Sequence, residues 1–396
     1  MTEGSHIALQ RGSLILTTAV AVVSDAVLIP FYPQLFSTRY GVESASHVGL
    51  YLAATCLVVM FALPLWAEAE RRISTLPLLI VAQFAAGLLA VGCFFASTVT
   101  EFWLVSLGMI VFKASYLLVY PYLMRLTDET NHMQTIGMLT VIVHLGAILG
   151  AVIGGAILAS WSPQHGFLAM AAGDFLQMAV CAFLLLRGAR GPQAEFDSGA
   201  FMRSLANGRW LQVAKLAAVM FVLYFSAFAL RPFFVQYWSM RSGTGDERIA
   251  GLVFSIPAWM SLACLLYQRR QSQEPPVLRS IGLCVVGLAL QCTPSVALIL
   301  VGLAIFGWGL YRTMVYFDAL IFETSSPELY ATAFSQMHFF QQLGALIGFY
   351  TAGSVVAASG LHSPFVVAIA GFALTAGLFF RFFLSRPTHK EMVPAS

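Results

Sequence analysis

Apolar residues run along this chain in blocks of about twenty, separated by short polar punctuation, and none of the blocks alternates with a period of two. Twelve such blocks occur, at approximately 12–36, 47–66, 75–98, 101–124, 135–160, 166–187, 216–240, 249–267, 277–293, 295–321, 329–357 and 363–384. A hydrocarbon core about 30 Å thick takes roughly 20 residues of helix to cross. Only helices and closed barrels satisfy every backbone donor and acceptor inside it. Unalternating runs of this length predict twelve membrane-spanning helices rather than a barrel. The first block is longer than a signal-peptide core and lacks a small-residue cleavage site, so it is expected to be an uncleaved span.

The one long polar connection, 188–215, divides the blocks six and six, predicting an N-terminal bundle (1–187), a linker (188–215) and a C-terminal bundle (216–396). Within the linker, Phe201 and Leu205 beside Arg203 and Arg209 suit either a short interfacial helix or a flexible basic tether. The halves echo each other. Pro30-Phe31-Tyr32-Pro33-Gln34 corresponds to Pro232-Phe233-Phe234-Val235-Gln236, and Leu145–Gly150 corresponds to Leu343–Gly348. Two echoes at nearly one offset point to a duplicated six-helix unit, and such repeats are a mark of alternating-access transporters.

Composition agrees. Of 396 residues 59% are hydrophobic and 10% are charged, whereas soluble domains carry about 25% charged residues. Fifteen of the 21 Lys and Arg residues fall in connections on the side of the N-terminus. Three (Arg39, Arg241 and Arg248) fall in the opposite connections, and three lie inside spans. By the positive-inside rule both termini are expected in the cytoplasm, with the chain in a bacterial inner membrane. The six cysteines form no C-x-x-C and no metal spacing, so they are read as small buried residues and neither metal nor cofactor is expected. H-E-x-x-H and G-x-S-x-G do not occur, so no enzyme activity is expected.

In the fifth block, Gly137, Gly146, Gly150, Ala151, Gly154 and Gly155 include a four-residue glycine period, a stripe that lets another helix approach closely. The full spacing resembles the antiporter motif of the major facilitator superfamily, departing from it where Ala151 replaces a proline. The connection Pro64–Arg72 resembles a degraded form of the superfamily's loop motif, with Glu68 and Arg72 at its acidic and basic positions. Ordinary positive-inside charges beside an acidic neighbour would look the same. The resemblance implies two pseudo-symmetric six-helix bundles, with the first, fourth, seventh and tenth helices lining a central cavity. It also implies exchange of a small substrate for protons, in a protein expected to be a monomer with the lipid bilayer as surroundings and no nucleic-acid partner.

Charge then locates candidate chemistry. Asp25, Lys113, Asp174, Arg231, Arg312 and Asp318 lie inside apolar blocks, where a charge costs about 2.5–3.5 kcal/mol. In one reading Asp25 pairs with Lys113 or Arg231, and Asp318 with Arg312, as structural ion pairs. In the other, Lys113, Arg231 and Arg312 attract an anionic substrate, assisted by Tyr32, Tyr116, Tyr120, Tyr311, Gln34 and Gln236. Asp25, Asp318 and His144 then carry protons, the imidazole because its ordinary titration lies near neutrality. His144 is equally a candidate packing residue. Lys113 and Arg231 against Asp25 amount to a cation excess, which favours an anionic or carboxylate-bearing substrate. Residues 31–66 are also similar to exporters that accompany carboxylate-siderophore synthesis. Hydrophobic drug efflux, proton-symport uptake and a non-transporting scaffold or sensor are the rivals. Asp174, on a helix expected to be peripheral, could pair locally, bind a headgroup or mark a second proton path. His338, Gln341 and Gln342 share a polar face in the eleventh block.

Overall fold

A computed structural model describes residues 3–126, 132–189, 210–268, 276–323 and 330–385, and every regular element among them is helical. Span 1 is α1 (Glu3–Ala26), a 3₁₀ turn (Ile29–Phe31) and α2 (Tyr32–Tyr40); span 2 is α3 (Ala45–Arg72) and span 3 is α4 (Thr75–Phe95). Span 4 is α5 (Val99–Lys113), a 3₁₀ turn (Ala114–Leu118) and α6 (Val119–Arg125); spans 5 and 6 are α7 (His132–Ser160) and α8 (His165–Leu186). In the second half, span 7 is α9 (Trp210–Ala229) with α10 (Phe234–Ser242), and span 8 is α11 (Glu247–Phe254) with α12 (Ile256–Gln268). Spans 9 to 12 are α13 (Val277–Gln291), α14 (Val296–Glu323), α15 (Tyr330–Ser359) and α16 (Ser363–Phe379), the last continuing into one turn of π-helix (Phe380–Leu384).

Eleven of these spans are long and apolar enough to cross a membrane, and the apolar Val277–Gln291 is shorter. The twelve-helix, all-α architecture expected from the sequence is therefore what the chain forms. Its boundaries moved in places. The second span extends to Arg72, and the seventh begins at Trp210 rather than 216, so the expected linker lies mostly outside the described residues.

Proline sets the breaks. Pro30 and Pro33 cannot donate to a helix ladder, and span 1 tightens into 3₁₀ geometry between α1 and α2. Pro232 breaks span 7 at the matching place. In span 4, Pro121 lacks the amide that would reach the carbonyl four residues back, and the 3₁₀ turn at 114–118 sits there. The apolar block of span 4 is continuous in sequence, but its helix is not.

Within each half the same pairs of spans pack, 1 with 5 and 6 and 3 with 4 and 6, repeated as 7 with 11 and 12 and 9 with 10 and 12. The duplicated stripes do the same work twice. A Cβ on Gly146 would meet Val22 Cγ1 at 2.7 Å, and one on Gly150 would meet Ala26 Cβ at 2.5 Å, both on α1. Gly344 and Gly348 press in the same way on Phe221 and Phe225 of α9. Gly173 packs on Ser24 and Gly371 on Ser226, a third echo. Gly137 lies near the start of α7.

The halves meet through spans 2 and 11 and spans 5 and 8. The contacts are backbone-close: Gly49 stands 2.8 Å (virtual Cβ) from the Gly353 Cα, and the Cβ of Gly155 would lie 2.5 Å from the Glu247 carbonyl. Arg248 Nη2 donates to Ser160 Oγ at 3.2 Å beside them. All of these lie toward the face opposite the start of α1, hereafter the far face. The halves are in backbone contact there.

Candidate functional site

Two polar groups occupy the middle of the bundle. The first joins spans 1, 4 and 6. Lys113, the last residue of α5, places Nζ 3.2 Å from Asp25 Oδ1 and 2.8 Å from Asp174 Oδ1. Asp25 is the next-to-last residue of α1, so both partners stand at helix ends created by the breaks. A cation at a helix C-terminus is favoured by the backbone dipole and a carboxylate there is not, so Lys113 stabilises an end that Asp25 strains. Tyr116 lies close enough to Asp25 to interact with its carboxylate.

Asp174 is therefore not the outlying charge that the sequence suggested. It faces inward because Gly173 lets α8 settle on Ser24 of α1, bringing the next residue to the same depth as Asp25. Ser24 and Gly173 recur as Ser226 and Gly371 at the offsets of the other two echoes, a sequence sign that the two positions matter together though not of what they place. The charge count changes as well. One ammonium faces two carboxylates, so the cation excess assigned to Lys113, Arg231 and Asp25 does not exist around Lys113.

The second group lies in the C-terminal half. Arg231 sits in the break of span 7, with its guanidinium carbon 4.1 Å above the Phe228 ring centroid. Phe228 stacks in turn on Tyr224, with centroids 5.8 Å apart and 18° between planes. Cys56 of span 2 and His144 of span 5 are its electrostatic neighbours from the other half. Among the described residues no carboxylate pairs with Arg231. His144 packs edge-on against Tyr311 with centroids 5.3 Å apart, a contact that crosses between the halves.

Asp318 and Arg312 are not the ion pair considered from sequence. Six residues on a helix turn through about 600°, which points the two side chains to different faces. Gln341 Nε2 donates to Asp318 Oδ1 at 3.5 Å, and His338 bonds both Gln341 and Gln342 at 3.3 Å. Arg312 Nε is buried without a hydrogen-bond partner.

The remaining candidates disperse. Tyr32 is buried in an aromatic cluster toward the far face, 5.1 Å from the Tyr51 ring and 6.5 Å from Phe36. Tyr120 packs with the cluster around Leu14 and Tyr122. Gln236 lines a far-face cleft of about 300 Å³ together with Pro33 and Phe233, while Gln34 Oε1 is buried without a partner. Glu68 and Arg72 form an exposed pair at 3.4 Å, one turn apart on α3. The buried acid of that connection is Glu70, which accepts from Thr75 Oγ1 at 2.6 Å. The sequence reading passed over it.

The model of the Major Facilitator Superfamily matches residues 14–270. The chain belongs to the major facilitator superfamily. No curated protein sequence matches it. Among solved structures it is similar to a bacterial homologue of the human lysosomal transporter Spinster in an inward-facing, unoccupied conformation, with 14% identity over 96% of this chain and 97% of that one, at a TM-score of 0.76. It is similar also to a POT family peptide transporter (15% identity, 98% and 99% covered, TM-score 0.73) and to the human organic anion transporter MFSD10 (16%, 96% and 100%, 0.68). At these identities the likeness is one of fold. This superfamily member is a multi-pass membrane transporter for a small molecule, not an enzyme.

Proposed function

We propose that this superfamily member exports a small anionic, carboxylate-bearing molecule across the bacterial inner membrane in exchange for protons. The carrying observation is Arg231. Burying a guanidinium at mid-membrane costs about 2.5–3.5 kcal/mol, and no carboxylate of the described chain offsets it. Stacking on Phe228 fixes the plane of the fork while leaving its N–H edge unfilled, an arrangement suited to bidentate capture of a carboxylate. The stack on its own side and the neighbouring Cys56 and His144 on the other support a role for this cation between the halves, where alternating access would expose it to each face in turn.

Lys113 is already matched by two carboxylates, so the preference for anions rests on Arg231 and, behind it, Arg312. Proton coupling is supported by Asp25 and Asp318, acids at the polar centre within reach of protein donors. The excess of basic residues in the near-face connections supports cytoplasmic termini, which makes the far face periplasmic. The human organic anion transporter among the structural neighbours is in keeping with an anionic cargo. The narrower siderophore reading has only the short resemblance over 31–66 behind it.

The test is flux in everted membrane vesicles carrying the chain, using a panel of radiolabelled mono- and tricarboxylates and, separately, ethidium. An acid-inside gradient should drive carboxylate accumulation that R231A abolishes. Gradient-driven ethidium uptake without carboxylate uptake would instead establish the drug-efflux reading, and flux that ignores the gradient would end the antiport proposal.

A further inference from the structure

Lys113 stands between two carboxylates of very different exposure. The side chain of Asp174 has none, while that of Asp25 is 34% exposed. The halves meet on the far face through their glycine contacts, which leaves the near side as the route by which water would reach Asp25. We infer that Asp174 is a positioning residue, the permanent counter-ion of Lys113, and that Asp25 alone in this cluster gains and loses the transported proton. This rests on the proton-coupled reading above and adds to it a residue from span 6.

The charge balance makes the case. One ammonium and two carboxylates leave a surplus negative charge in a desolvated site, which is costly. One proton removes it. Hydronium in the cavity water delivers that proton: one of its O–H bonds breaks, leaving water, as an O–H bond forms on a carboxylate oxygen of Asp25 to give the neutral acid. Asp174 is sealed from solvent and holds the ammonium at 2.8 Å, the shorter of its two contacts, so the acid that cavity water reaches is Asp25. The other titratable groups facing the cluster are the Tyr116 phenol from span 4, the Tyr32 phenol beyond the break in span 1 and the Cys93 thiol from span 3. All three ordinarily lose their protons above neutrality, so they carry no charge in the balance.

Asp174 also decides what becomes of Lys113 once Asp25 is neutral. Without a second anion the ammonium would be left alone at the break in span 4, drawn toward the cavity and toward any anionic substrate. Held at 2.8 Å by Asp174, it stays on the wall of the N-terminal half, and the substrate is left to Arg231. The N-terminal cluster thus handles a proton and leaves the anion to the other half.

The experiment is an infrared pH titration of the full-length protein in lipid, following the carboxylic-acid C=O stretch with no substrate and no gradient. The band due to Asp25 is identified by its loss in D25N. In D174N that band should survive with a proton affinity about tenfold lower. Removing Asp174 takes away a like charge and gives Asp25 the whole attraction of Lys113, and both effects favour the ionised form. D174E should restore the wild-type midpoint, and it serves as the second variant should D174N fold poorly. An unchanged midpoint in D174N would reduce Asp174 to packing, and a band lost in D174N but kept in D25N would make the sealed acid the proton site. Correct titration in a protein that shows no gradient-driven flux would sink the coupling reading and leave the cluster assignment standing.

Discussion

At the scale of single residues the site depends on which charges are matched. Lys113 is buried against two acids at 2.8 and 3.2 Å, so K113M should leave two unpaired carboxylates and destabilise the protein by about 3–5 kcal/mol. D25N removes only one arm of the cluster and leaves the closer pair intact. It should cost far less, and thermal melts of the two purified variants in one detergent decide the order. Arg231 behaves oppositely. Truncating an unmatched guanidinium removes a liability, so R231A should be no less thermally stable than the parent while losing carboxylate binding by about tenfold to a hundredfold, the worth of a charge-assisted hydrogen bond. R231K should bind almost as weakly, because an ammonium lacks the planar fork. The six intramembrane charges were visible in the sequence, and so was their concentration on the cavity-lining spans. Their pairing was not, since it depends on the rotation of α8 about its axis, which is set by the contact of Gly173 with Ser24.

At the scale of elements, glycine decides how close the spans come. Gly150 of α7 presses on Val23 and Ala26 of α1, and Gly348 of α15 on Phe225 of α9. Spans 5 and 11 are therefore fixed to the helices that carry Asp25 and Arg231. G150L should drive α7 off α1 and disturb the Asp25–Lys113–Asp174 cluster, lowering the yield of folded protein. G12L, at a position where nothing lies within 4 Å, should have no such effect, and size-exclusion profiles of the two compare them directly. This layer was legible in advance, because span number, the duplicated unit and the stripe follow from apolar length and small-residue period. The break after Lys113 was not. The apolar run of span 4 continues through it, and Pro121, which accounts for it, acts a full turn away from where it sits. The loop shows a related effect: Glu68 and Arg72 at the motif positions pair at the surface, and it is Glu70 that α3 turns inward toward Thr75.

At the scale of the whole molecule, the halves are in contact at the far end, and that contact can be broken. Gly49 and Gly353 approach so closely that an added Cβ on one lies 2.8 Å from the Cα of the other. G353V should wedge spans 2 and 11 apart and favour the opposite access state. This can be read through the polar centre, by placing a cysteine at position 25 in a background whose native cysteines are replaced and labelling with a membrane-impermeant maleimide. In the parent the label should enter from the near face alone. G353V should admit label from the far face and lose it from the near one. Far-face labelling of the parent would mean that the glycine contacts do not seal the cavity, and the one-sided access assigned to Asp25 would fall with them.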